Sequence, residues 1–141
     1  MEARDLALSN ARGRMAIGAA LVVAPRLAGP MWIGSDADSR AVKVLARAFG
    51  ARDLALGLGT AVAIDRGKPV RGWLEGAALA DAVDFLATLV AGDSIPPAAR
   101  RAVLLIAGAS LATCAALSRA LDTPPAEHEV LVAEAHLTGH P

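Results

Sequence analysis

The chain has 141 residues, of which 55% are hydrophobic and 20% charged, with 14 Lys and Arg balancing 14 Asp and Glu. That length suits one domain, and the even charge excludes the basic surface of a nucleic-acid binder. A single cysteine, Cys114, excludes an intramolecular disulfide and a cysteine-based zinc site; it reads as a small buried apolar residue.

An ordinary soluble domain is about 45–50% apolar with glycine counted, and about 25% charged. This chain departs from both figures in the same direction, and its 13 glycines lie outside the 55%. Only 3% is aromatic and there is no Tyr, so a soluble core would rest on Leu, Val and many small Ala. A helix bundle in lipid tolerates this composition, because small residues let helices approach closely. The pattern is helical throughout, with no sustained apolar/polar alternation and no Asn-Gly or Asp-Gly hairpin signal.

In chain order, residues 1–14 read as a polar flank before a first segment, MAIGAALVVAPRLAGPMWIG (15–34). Arg12 and Arg14 before this run resemble the start of a signal peptide. No small-x-small cleavage site follows it, so a retained first helix is expected. Arg26 lies between Pro25 and Pro30, where the helix kinks or ends, and reads as snorkelling to an interface. Ser35 or Asp36 in GSDADSR (34–40) offers an N-cap for the second segment, VLARAFGARDLALGLGTAVAI (44–64). DRGKPVRG (65–72) is a tight loop, followed by a third segment, GWLEGAALADAVDFLATLVAG (72–92). GDSIPPAARR (92–101) breaks the helix before a fourth, AVLLIAGASLATCAALSRAL (102–121), which DTPPAEHE ends.

A hydrocarbon core of about 30 Å needs roughly 20 helical residues, and all four segments have that length. Short connections make successive helices antiparallel. The expected fold is therefore all-α, an antiparallel four-helix transmembrane bundle, with Trp32 and Trp73 as interfacial anchors. Lys and Arg are more numerous on the side of the N-terminus, second loop and C-terminal flank. This predicts a multi-pass cell-membrane protein with both termini cytoplasmic.

A soluble Ala-rich helical bundle is the competing architecture. A central Arg or Asp costs about 2.5–3.5 kcal/mol on insertion and each Leu, Ile or Phe returns about 0.3–0.6 kcal/mol. By that arithmetic the second and third segments are marginal as isolated helices. Only Ala102–Ser118 is a long charge-free run.

The charges that interrupt these segments are the candidate site. GARDLALGLG (50–59) sets Arg52 beside Asp53 near the middle of the second segment, and Asp81 and Asp84 share a face of the third. Gly50, Asp53, Gly57 and Ala61 form a small, polar stripe that is expected to meet the Asp81/Asp84 face. Gly57 would allow the close approach, and Arg52 would pair with Asp84 or Asp81. Such residues either line an ion, proton or ligand path or fix the bundle's register as a buried ion-pair network.

Elsewhere the chemistry is thin. Ser110 and Thr113 have no His or acid nearby in sequence to activate them. His136 and His140, with Glu129 or Glu134, have metal-ligand spacing, yet the tail 122–141 reads more simply as a flexible or amphipathic end. No metal or cofactor site is expected.

GARDLALGLG followed by DAVDF (81–85) resembles the small four-helix membrane proteins grouped as the domain of unknown function DUF4267. The resemblance covers roughly residues 13–121 and rests on Gly50, Arg52, Asp53, Gly57, Asp81 and Asp84. It implies a membrane bundle and no established activity. The expected function is non-enzymatic: a small membrane protein, as an oligomeric transporter or an accessory subunit. Its partners would be the lipid bilayer and either further copies or a membrane complex, with no nucleic acid. The alternative is a membrane enzyme or redox-associated component that binds a lipid or quinone between helices.

Overall fold

A computed structural model describes residues 2–27 and 39–121. Among them the chain is all-helical, with four long helices and one 3-10 turn. These are α1 (Ala3–Val23), α2 (Arg40–Asp65), α3 (Arg71–Ala91), the turn Gly92–Ser94 and α4 (Pro97–Leu121). Trp32, the Ser35/Asp36 cap and the His-containing tail lie outside the described residues.

The first helix corrects the expected boundaries. Residues 3–14 are helical rather than a flank, and α1 stops at Val23, just before Pro25. The stretch ARDLALSNARG is rich in Ala, Leu and Arg, good helix formers that hydropathy passes over. Its buried residues, Ala7, Ala11, Arg14, Gly18 and Leu21, alternate in steps of four and three, which is one helix face.

The other ends follow ordinary capping chemistry. Ser39, rather than Ser35 or Asp36, caps α2, its hydroxyl accepting from the Val42 amide at 3.1 Å. Gly67 and Gly92 take positive φ, +60° and +55°, where the chain reverses after α2 and after α3. Pro97 opens α4, a position at which its missing N–H costs nothing.

Packing divides the molecule into two antiparallel hairpins. Along α1 and α2, Arg4 donates to the Ile64 carbonyl, Gly57 lies on Ala11 and Met15, and Gly18 lies on Gly50. A Cβ on Gly18 would stand 2.6 Å from the Gly50 carbonyl oxygen, and one on Gly50 2.6 Å from that of Gly18, so only glycine fits either position. The glycine stripe of α2 therefore faces α1, not α3 as its sequence suggested. Helices α3 and α4 form the second hairpin, with Gly108 against the Phe85 ring. Contact between the hairpins is much thinner. One such contact is the Trp73 ring seated on Gly59.

The apolar core sits at one end, around the α2–α3 connection. Ala7, Ala63, Ile64, Val70, Leu74, Ala77, Cys114 and Leu117 pack together there, with Leu74 and Cys114 essentially inaccessible. Elsewhere the usual distribution is reversed. Arg14, Asp81, Thr60, Thr88 and Ser118 are buried, while large apolar side chains point outward. On α3, Leu79, Val83, Leu86 and Val90 are 68%, 55%, 59% and 88% exposed and step along one continuous stripe.

By length and composition, one described helix, Pro97–Leu121, is long and apolar enough to cross a membrane. The sequence reading expected four. The other helices carry charges near their centres, Arg14 in α1, Arg52 and Asp53 in α2, and Asp81 and Asp84 in α3.

Candidate functional site: a buried charge layer

The layer draws on the middle of each helix. Arg14, Asp53, Asp81 and Ser110 each lie within about one residue of the midpoint of α1, α2, α3 and α4. They occupy the seam between the hairpins, where backbone packing is thin and long side chains span the gap.

Arg14 is the centre. Its guanidinium donates to Asp53 Oδ1 at 3.0 Å, to Asp81 Oδ2 at 2.5 Å and to Ser110 Oγ at 3.2 Å. One side chain on α1 thus ties together all three other helices. It is 6% exposed, against 13% for Asp53 and 8% for Asp81. Its Nε–H has no hydrogen-bond acceptor among the described residues. Asn10, one turn earlier on the same face, donates to Ser110 Oγ at 3.0 Å, and the Cys114 thiol lies 3.5 Å from Asn10 Oδ1.

Arg52 forms the second half. It holds both oxygens of Asp84, at 3.1 and 2.7 Å, in the two-pronged geometry that makes an arginine–carboxylate pair strong. Its Nε and terminal nitrogen also reach back to Asp53 Oδ1 at 3.3 and 3.1 Å. Adjacent helical residues diverge by about 100° at the backbone, but the long arginine stem closes that angle. Arg52 lies over the Phe49 ring, 5.3 Å from its centroid, and is the most open member of the layer.

The four residues singled out in the sequence, Arg52, Asp53, Asp81 and Asp84, are thus joined into one network. Asp53 is the link, since its Oδ1 accepts from both arginines. Sequence reasoning missed Arg14, Asn10 and Ser110. In sequence Arg14 falls in the flank before the first apolar run, and Ser110 has no His or acid near it. Glu75 does not join the layer; it pairs at the surface with Arg71 at 2.7 Å.

In charge the layer is two guanidiniums against three carboxylates, one negative charge in excess. Among the described residues no group of three or more His, Cys, Asp or Glu could hold a metal ion. Two cavities lie at the far end of the bundle, one by Asp93, Arg100 and Arg101, the other by Arg26, Lys43 and Arg47, away from the layer. Comparison with family models, curated proteins and solved structures finds no match to the chain.

Proposed function

We propose that the chain is a non-enzymatic integral membrane protein, an antiparallel four-helix bundle with lipid against α2, α3 and α4 and a membrane partner against α1. The observation that carries this is the reversed distribution: Arg14 and Asp81 buried, Leu79, Val83, Leu86 and Val90 outside. Holding large apolar side chains out in water forgoes about 1.5–3 kcal/mol each. In lipid the same arrangement is the favourable one, with charges turned inward and paired. At 21 to 26 residues the helices are about 31–39 Å long, enough for a hydrocarbon core of about 30 Å.

The outward face of α1 differs from the other three. It exposes Ser9, Arg12, Gly13, Ala16 and Ala20 near and beyond its middle, beside Ile17 and Val23, with nothing within 4 Å of the position a Gly13 Cβ would take. Among the described residues no carboxylate pairs with Arg12, and an arginine at that depth calls for one. A second copy in the same orientation would oppose Arg12 to Arg12, so the face suits a different membrane protein and the role of accessory subunit. The resemblance to the DUF4267 family belongs to the same proposal and rests on the six residues given above.

A transport role is the second reading. One observation favours it: the charge layer falls where two separately packed hairpins barely touch. With Arg14 and Arg52 in the charge layer and Arg12 at mid-helix, the remaining eleven Lys and Arg divide five to six between the bundle's ends. These are Arg4, Arg66, Lys68, Arg71 and Arg119 against Arg26, Arg40, Lys43, Arg47, Arg100 and Arg101. The expected cytoplasmic placement of both termini therefore loses its charge bias.

Flotation with lipid vesicles after alkaline washing tests the reading. The protein is expected to rise with the lipid and to need detergent for release. A monodisperse protein in plain buffer would refute the membrane assignment.

A further inference from the structure

The charge layer is short of two things at once. It carries one negative charge too many, and the Arg14 Nε–H, on a side chain only 6% exposed, has no acceptor among the described residues. An anion would supply the acceptor and worsen the charge. A bare metal cation would supply the charge and no acceptor, and no metal-binding cluster exists among the described residues. A proton on one of the carboxyls cancels the excess and needs no further room.

We propose that the layer is a binding site for one proton, and that the proton resides on Asp81, on the carboxyl oxygen that Arg14 does not hold. The choice among the three acids follows from their partners. Asp84 has both oxygens held by Arg52, and Asp53 Oδ1 accepts from both arginines. Asp81 shares a single guanidinium, that of Arg14, with Asp53. It is also the most buried of the three, at 8% exposed against 13% and 17%. The charged and titratable groups around it are Arg14 from α1, Arg52 and Asp53 from α2, Asp84 on its own helix and the Cys114 thiol from α4.

The proton comes from bulk water, only an O–H bond forms, and nothing is oxidised or reduced. The inference rests on the membrane reading, because surroundings of low dielectric constant are what make an uncompensated charge costly. A site of this kind, placed in the seam, makes the joint between the hairpins responsive to protons.

Infrared spectroscopy of the protein in lipid nanodiscs, reading the C=O stretch of protonated carboxyls at neutral pH, tests this separately from flotation. The wild type is expected to show one buried protonated carboxyl per chain, Asp81→Asn none, and Arg52→Gln about twice the wild-type intensity. No such band in the wild type would overturn the proposal. So would a band that survives in Asp81→Asn, or one lost on exchanging potassium for sodium, which would mean a metal-cation site. If Asp81→Asn does not fold, Arg52→Gln decides alone: a doubled band supports the proton count and an unchanged one refutes it.

Discussion

Two interfaces of this molecule hold helices together by opposite means. Within the α1–α2 hairpin, Gly18 and Gly50 bring backbone against backbone, and Ala11 and Gly57 do the same two turns away. Between the hairpins the described glycines Gly59 and Gly76 meet side chains rather than backbone, and Arg14 and Arg52 reach across to Asp81 and Asp84. Small residues gain dispersion over a long, close contact and tolerate no added volume. Buried ion pairs span a wider gap, yet they leave an uncompensated charge whenever one partner is lost. The first interface is set by shape and the second by charge, so substitutions should separate them.

The largest effect belongs to Arg14→Leu, which strands Asp81 in the seam and leaves Asp53 to Arg52 alone. It should cost about 3–5 kcal/mol, read from unfolding in mild detergent. Gly50→Ala breaks the other interface, since its Cβ would meet the Gly18 carbonyl oxygen at 2.6 Å and the Leu21 Cβ at 2.9 Å. An overpacking loss of about 1–3 kcal/mol is expected in the same assay. A neutral result there would mean that the hairpin is looser than described.

Next comes the more open pair. Arg52→Ala or Asp84→Asn alone should each cost about 1.5–3 kcal/mol. The double change Arg52→Met with Asp84→Leu should recover most of the loss, as apolar replacement of a whole buried pair often does. Failure to recover would show that Asp53 depends on Arg52 as much as Asp84 does. The smallest effect is a gain. Nothing lies within 4 Å of the Gly13 Cβ position, so Gly13→Ala should stabilise the isolated chain by about 0.4–1 kcal/mol.

Four of the seven residues of the charge layer are legible in the sequence, for a definite reason. Arg52, Asp53, Asp81 and Asp84 interrupt apolar runs, and an interruption is visible without a partner. Arg14 and Asn10 precede the apolar run instead of interrupting it, so hydropathy assigns them to a flank. Their helical face gives them away: Ala7, Ala11, Arg14, Gly18 and Leu21 fall on one stripe. The Gly50/Gly57 stripe reads as a contact surface in the sequence, and the helix that meets it is α1, not α3. A single sequence shows that a face is small, whereas which helix lies on it is settled by the whole packing.

The central claim, that charges face inward and the apolar face of α3 meets lipid, is open to one direct measurement. A spin label at Val83→Cys or Leu86→Cys, in a Cys114→Ala background reconstituted in vesicles, reports collisions with oxygen dissolved in lipid and with a water-soluble nickel complex. The account predicts frequent oxygen and rare nickel collisions at both positions. Frequent nickel collisions at both would contradict it, because they would place this face in water.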